Sequence, residues 1–216
     1  MPPMRTLCGL LHSSIGRKIT VATAGILLCG FLVTHLAGNL FLLVGENAFN
    51  HYAEVLEANP LLVPAEIGLL ALFALHIVTS LWLKWENRRA RPAAYAVSAS
   101  KGGRTPGSGT MAATGTVILT FLIIHIKSFK YGDKPDGLYR LVMDSFAWGP
   151  YTVFYVVAMG ALGLHLSHGV QSAFNTFGVN HPKYTPLIKK AGLGFAGLVA
   201  AGFAFLPIWA CYLVRR

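Results

Sequence analysis

The sequence predicts an all-α integral membrane protein, a single bundle of five transmembrane helices. Three observations carry that reading. Hydrophobic residues make up 54% of the 216-residue chain and charged residues only 12%, whereas charged residues fill about a quarter of a soluble domain. Five apolar runs, at about 19–45, 61–83, 112–129, 150–174 and 191–213, are each close to or above the roughly 20 residues that cross a bilayer core. These runs take up most of the chain, so residues 1–216 are expected to form one membrane domain with no separate soluble domain.

The first span follows Ser13-Ser14-Ile15-Gly16-Arg17-Lys18, where either serine can cap a helix N-terminus. The preceding apolar stretch is short and broken by His12, which does not fit a cleavable signal, so the helix is expected to stay in the membrane. It continues ITVATAGILLCGFLVTHLAGNLFLLVG, with His35 past its middle. The next stretch, ENAFNHYAEVLEANPLLVP, is polar and ends in two prolines, and is read as an external loop with a solvated His51.

The second span, EIGLLALFALHIVTSLWLKW, holds His76, with Glu66 near its outer end and Trp82 and Trp85 as interfacial anchors beside Lys84. From Glu86 to Thr110 the chain is rich in Arg, Ala, Gly and Ser, and little structure is expected beyond a helix extension. The third span, MAATGTVILTFLIIHIKSF, puts His125 near its outer end. The fourth lies within GPYTVFYVVAMGALGLHLSHGVQSAFNTFG and carries both His165 and His168. Gly160, Gly163 and Gly169 beside them are expected to leave room for a broad, flat group. The fifth, AGLGFAGLVAAGFAFLPIWACYLV, has no histidine, and Pro207 is a candidate kink.

The net charge is +10. Arg5, Arg17 and Lys18 precede the first span; Lys84, Arg88, Arg89, Arg91, Lys101 and Arg104 lie between the second and third; Lys183, Lys189 and Lys190 lie between the fourth and fifth. The positive-inside rule makes these segments cytoplasmic, with the N-terminus inside. Arg215 and Arg216 run against that orientation. The first outer loop carries Glu46, Glu54 and Glu57 with no Lys or Arg, and the second mixes Lys127, Lys130, Lys134 and Arg140 with Asp133, Asp136 and Asp144. Because the charges bracket apolar spans, they exclude a nucleic-acid-binding face. Cys8, Cys29 and Cys211 are far apart and form no CxxC pair, so they suggest neither a zinc nor an iron–sulfur site.

Ionisable residues inside a span are rare and usually functional. At 1.5 Å per residue, His35 lies roughly 25 Å from the basic side and His125 roughly 21 Å. His76 lies roughly 12 Å deep, His165 roughly 18 Å and His168 roughly 13 Å. The histidines therefore sort into an outer pair, His35 with His125, and an inner pair, His76 with His165 or His168. Two histidines at matched height on different helices suit axial ligation of a haem between them, and two such haems would carry electrons across the membrane. The competing reading is a haem-free transporter, with histidines bonded between helices or forming a proton relay. A zinc site would want thiolates or carboxylates that do not cluster here.

The chain also resembles the di-haem cytochrome b subunit of succinate:quinone oxidoreductases (succinate dehydrogenase or fumarate reductase), in its five-helix form. The resemblance covers nearly the whole chain and is most specific in SSIGRK, in THLAGNLFLLVGENAFNHYAEVL around His35, in EIGLLALFALH at His76, and in GLHLSHGVQSAFNTFG. It implies that His35, His76, His125 and His165 are the axial ligands of two b haems, the first pairing with the third and the second with the fourth. His165 is favoured over His168 by its spacing to Phe177-Gly178, leaving His168 as an alternative ligand, a propionate partner or a helix-contact residue. Arg17 is a candidate propionate contact, and Glu66 a candidate for the quinone site.

The resemblance further implies a bacterial cytoplasmic-membrane complex with a flavoprotein that holds FAD and an iron–sulfur protein docked on the basic face. Its lipid-soluble substrate would be a quinone, of the menaquinone type. Some relatives have a carboxylate, associated with proton transfer, at the position held here by Gly163. The alternative within the same ligand chemistry is the di-haem quinol cytochrome of another respiratory complex, such as a nitrate reductase.

Overall fold

Ser13 sets the start of the first helix: its hydroxyl accepts from the Gly16 N–H at 3.0 Å, satisfying one of the free donors of the first turn. From there a computed structural model describes residues 13–90 and 105–214. Arg5, Cys8, His12, Arg91, Lys101, Arg104, Arg215 and Arg216, which entered the charge and cysteine readings, lie outside the described residues.

Helix α1 is Ser14–Asn39, followed by the short α2, Phe41–Val44, and by α3, Glu46–Glu57. Helix α4 is Leu62–Arg89, and α5 is Pro106–His125, prolonged by a π-helical turn at Ile126–Lys130. Then come α6, Leu138–Ala147, α7, Gly149–Thr176, and α8, Thr185–Val214. Among the described residues five stretches are long and apolar enough to cross a membrane: Ser14–Val44, Leu62–Arg89, Pro106–Lys130, Gly149–Thr176 and Thr185–Val214. No strand occurs among the described residues.

Two connections depart from the expectation. The stretch read as an external loop folds as α3 over most of its length, entered through Gly45 at φ 128°, a backbone angle that favours glycine. Its core contact is the buried Phe49, and His51 stays exposed on the opposite side. The segment between α5 and α7 holds α6, which buries Val142, Met143 and Phe146 in the same core. Helices α3 and α6 are joined where the Asn50 side chain accepts from the Tyr139 N–H at 2.9 Å. Both helices are short and polar on one face, so they lack the sustained apolar run that marks a span.

The helix extension expected after Glu86 is present, with α4 running on to Arg89. The expectation of little structure up to Thr110 is corrected at the other end, where α5 starts at Pro106. The start is set by proline in the first turn and by a capping box, in which Thr105 and Ser108 bond each other's backbone N–H groups.

Packing is strongest between α7 and α8. Buried Thr152, Tyr155, Met159, Leu162, Leu166 and Ala173 recur at helical spacing along α7. Gly163 lets the two helices approach closely, since a Cβ built on it would stand 2.9 Å from the Ala200 Cβ. That contact corrects the reading of Gly163 as room for a flat group and leaves no space for a carboxylate there. Of the other two glycines, Gly169 lines the central cavity, while Gly160 has open space beside it and does not line the cavity. Helix α4 is the outlier of the bundle, with no buried residue along its length.

Ion pairs close both ends. At the basic end Arg17 meets Glu86 at 2.7 Å and lies over the Trp82 ring. At the other end the acidic residues of α3 and α4 meet the basic residues after α5: Glu66 with Lys130, Glu57 with Lys134, and Glu46 with Arg140.

Candidate cofactor site between four helices

A cavity of about 2200 Å³ runs between α1, α4, α5 and α7, and His35, His76, His125, His165 and His168 all line it. Ordinary small-molecule pockets hold about 300–1,000 Å³, so this one has room for more than one such ligand. Its walls are mainly apolar, including Phe31, Phe73, Leu122 and Phe203.

Four of the histidines meet in two pairs. His35 of α1 and His125 of α5 have ring centres 5.8 Å apart at an interplanar angle of 85°. His76 of α4 and His165 of α7 have ring centres 6.4 Å apart at 68°. With a metal–nitrogen bond of about 2 Å and about 1.1 Å from nitrogen to ring centre, two imidazoles on opposite sides of one metal have centres about 6 Å apart. Both pairs stand at that distance. His168 lies three residues beyond His165 on the same helix; among the described residues it makes no ring contact with His76.

Hydrogen bonds decide which ring nitrogen faces inward. Nδ1 of His76 is 3.3 Å from the Val21 carbonyl, which can only accept, so Nδ1 carries the hydrogen and Nε2 keeps its lone pair. Nδ1 of His165 is 3.3 Å from the Thr114 hydroxyl. That hydroxyl donates to the Thr110 carbonyl at 3.0 Å, so its oxygen accepts from Nδ1–H and Nε2 is again free. Nδ1 of His125 faces the Tyr155 hydroxyl at 3.2 Å. At His35 the Asn39 amide donates to the His35 carbonyl at 2.8 Å and lies 3.4 to 3.5 Å from the ring nitrogens. At His76, His165 and His125 the partner stands on Nδ1 alone, the usual device for orienting a metal-binding imidazole.

Several of these features form an internal repeat that the sequence reading missed. Gly25-x5-Phe31-Leu32-x2-His35 in α1 recurs, ninety residues on, as Gly115-x5-Phe121-Leu122-x2-His125 in α5. In both copies the phenylalanine stacks on the histidine one turn later, at 5.2 Å for Phe31 and His35 and 5.4 Å for Phe121 and His125. In both copies the glycine abuts the histidine of another helix, Gly25 against His76 and Gly115 against His165. Aligning the third apolar run on the first would have shown it.

Of the remaining candidates, Glu66 lines the far end of the same cavity and is paired with Lys130. Arg17 is engaged by Glu86 and does not line the cavity, although its Nε is buried without a hydrogen-bond partner. The cations that do line the basic end are Lys18, Lys84 and Arg88. Among the described residues no three His, Cys, Asp or Glu side chains converge as a metal cluster. Donors in twos suit a metal whose remaining positions are filled by a ligand of its own.

Comparison of the chain with models of protein families, with curated proteins and with solved structures gave no match.

Proposed function

We propose that this chain is a di-haem membrane cytochrome b, the subunit that anchors a succinate:quinone oxidoreductase and passes electrons between its iron–sulfur protein and quinone. The observation that carries the haem reading is the pair of imidazole pairs: two donors each, on four different helices, at the separation two axial ligands need. A haem supplies its own four equatorial nitrogens and takes up one electron at its iron. The free Nε2 of His76 and of His165, and the mainly apolar walls around them, support the same reading. His35 and His125 are the ligands of the outer haem, His76 and His165 those of the inner one. Lys18, Lys84 and Arg88 replace Arg17 as the propionate partners we favour at the inner end.

The partner subunits follow from the sequence resemblance, not from the cavity. On that reading the basic end faces the bacterial cytoplasm and docks the iron–sulfur protein, behind which the FAD-bearing flavoprotein handles succinate and fumarate. A reduced-minus-oxidised spectrum and a pyridine haemochrome assay on the purified chain test the first part. Two b haems per chain is the expected result, and a folded, haem-free chain would leave the transporter reading in possession. Copurification with a flavoprotein that oxidises succinate tests the second part; copurification with a molybdenum-containing reductase would favour the other respiratory cytochrome.

A further inference from the structure

Three of the four paired imidazoles are held on their outer nitrogen by a backbone carbonyl, a threonine hydroxyl and a tyrosine hydroxyl respectively. The tyrosine differs from the other two because it belongs to a chain. The Tyr155 hydroxyl stands 3.2 Å from Nδ1 of His125 and 3.0 Å from the Tyr151 hydroxyl. Tyr151 lies one turn before Tyr155 on the same face of α7. Resting on the di-haem reading, we infer that Tyr155, backed by Tyr151, is a positioning residue that holds His125 in its ligating tautomer and sets the donor strength of that one imidazole.

The direction of the hydrogens makes the link. If Tyr155 donates to Nδ1, the other nitrogen of His125 carries the ring hydrogen and has no lone pair for a metal. Ligation through Nε2 requires the reverse: Nδ1–H donates to Tyr155, and Tyr155 passes its own hydrogen to Tyr151. Ligand binding and the polarity of the chain are therefore coupled. The ring of Tyr155 has little freedom to leave this arrangement. It is 5% exposed and stands edge-on to Phe121 and Phe146, each at 4.9 Å. Phe121 also stacks on His125, so one aromatic side chain holds both members of the hydrogen bond.

A hydrogen bond from Nδ1–H makes the imidazole a stronger electron donor and so favours oxidised iron. Removing the acceptor should raise the midpoint potential of the centre that His125 serves and leave the other where it was. The test is a potentiometric titration of the complete purified protein with its haems, comparing wild type, Tyr155→Phe, Tyr151→Phe and Thr114→Val. We expect Tyr155→Phe to keep two haems and move one midpoint upward. Tyr151→Phe should move the same midpoint the same way by less, because it weakens the chain one bond further out. Thr114→Val should move the other midpoint, since Thr114 serves His165.

Two haems with unchanged midpoints in Tyr155→Phe, or two midpoints moving equally, overturns the inference and leaves the di-haem reading standing. A wild-type protein without haem removes that reading first. Should Tyr155→Phe fail to fold, Tyr151→Phe decides, and an unmoved midpoint there overturns the proposal.

Discussion

Gly25 of α1 stands directly against His76 of α4: a Cβ built on Gly25 would meet the His76 Cε1 at 3.3 Å. Gly115 of α5 stands in the same relation to His165 of α7, at 3.6 Å. Each glycine thus admits an imidazole from another helix to the edge of its own backbone. Both histidines belong to the inner pair, so the glycines of the two copies serve the inner site together while their histidines form the outer pair.

That relationship predicts a selective defect. Replacing Gly25 by valine puts two methyl groups where the His76 ring lies, an overpacking that costs about 1–3 kcal/mol or displaces the ring. On the di-haem proposal, the expected outcome is a haem-to-chain ratio falling from two towards one, with helical circular dichroism kept. Gly30, with no neighbour within 4 Å of its built Cβ, provides the control. Gly30→Val should retain both haems, and an equal loss in the two variants would refute the specific contact.

His165 and His168 separate in the same assay. They are three residues apart on α7, and His165 is the one whose ring stands 6.4 Å from that of His76. Replacing His165 by alanine should abolish one haem signal, whereas His168→Ala should keep two haems and at most shift the inner potential. The reverse pattern would mean that α7 is rotated relative to α4 in the loaded protein.

The five long helices were legible because each is a long apolar run, and a helix satisfies its backbone groups within its own segment. The pairing of His35 with His125 was legible for a related reason. Straight helices convert sequence distance into depth, and matched depth brings rings together. Depth left His165 and His168 both open as partners of His76, and the choice of His165 came from the resemblance. What could not be read was lateral placement. Gly163 looked like room for a ligand and proved to be the contact between α7 and α8. Depth says nothing about which way a helix faces. Helices α3 and α6 escaped because their periodicity is short, and their stability comes from burying Phe49, Val142 and Phe146 against one another's neighbours. Tyr155 escaped because its value lies in a hydrogen bond to a residue thirty positions away.

The acidic segment after the first apolar run and the basic groups after the third were legible as compositions, but their pairing was not. Glu46, Glu57 and Glu66 each meet one cation after α5. Exposed pairs of this kind contribute about 0.2–1 kcal/mol apiece. Glu57→Gln alone should therefore lower Tm by no more than about 4 °C. Exchanging the charges, Glu57→Lys with Lys134→Glu, should restore most of what Glu57→Lys alone removes. A double variant no better than the single would show that the two side chains do not interact in solution.

Glu66, like Glu57, lines the same cavity as His35 and His125, and it is the carboxylate that the sequence reading put forward for the quinone site. Its side chain is 39% exposed and that of Lys130 is 44% exposed, so their attraction is screened and contributes little to stability. A role in holding the fold is thus a weak reason for a carboxylate at this depth. A quinone reacting beside the outer haem would need a group to take or give a proton as its charge changes. Glu66→Gln keeps the shape and removes the ionisable group, and Lys130→Met leaves the carboxylate without its cation. If Glu66 serves the quinone, Glu66→Gln should lower quinone turnover by about a hundredfold or more, in the range that one acid–base group contributes. Both haems, and succinate oxidation with a soluble acceptor, should survive. Lys130→Met should change the pH dependence of that turnover without abolishing it, since the carboxylate remains. Unchanged quinone kinetics in Glu66→Gln would reduce the pair to an ion pair of the outer rim and move the search for the quinone to the surroundings of His76 and His165.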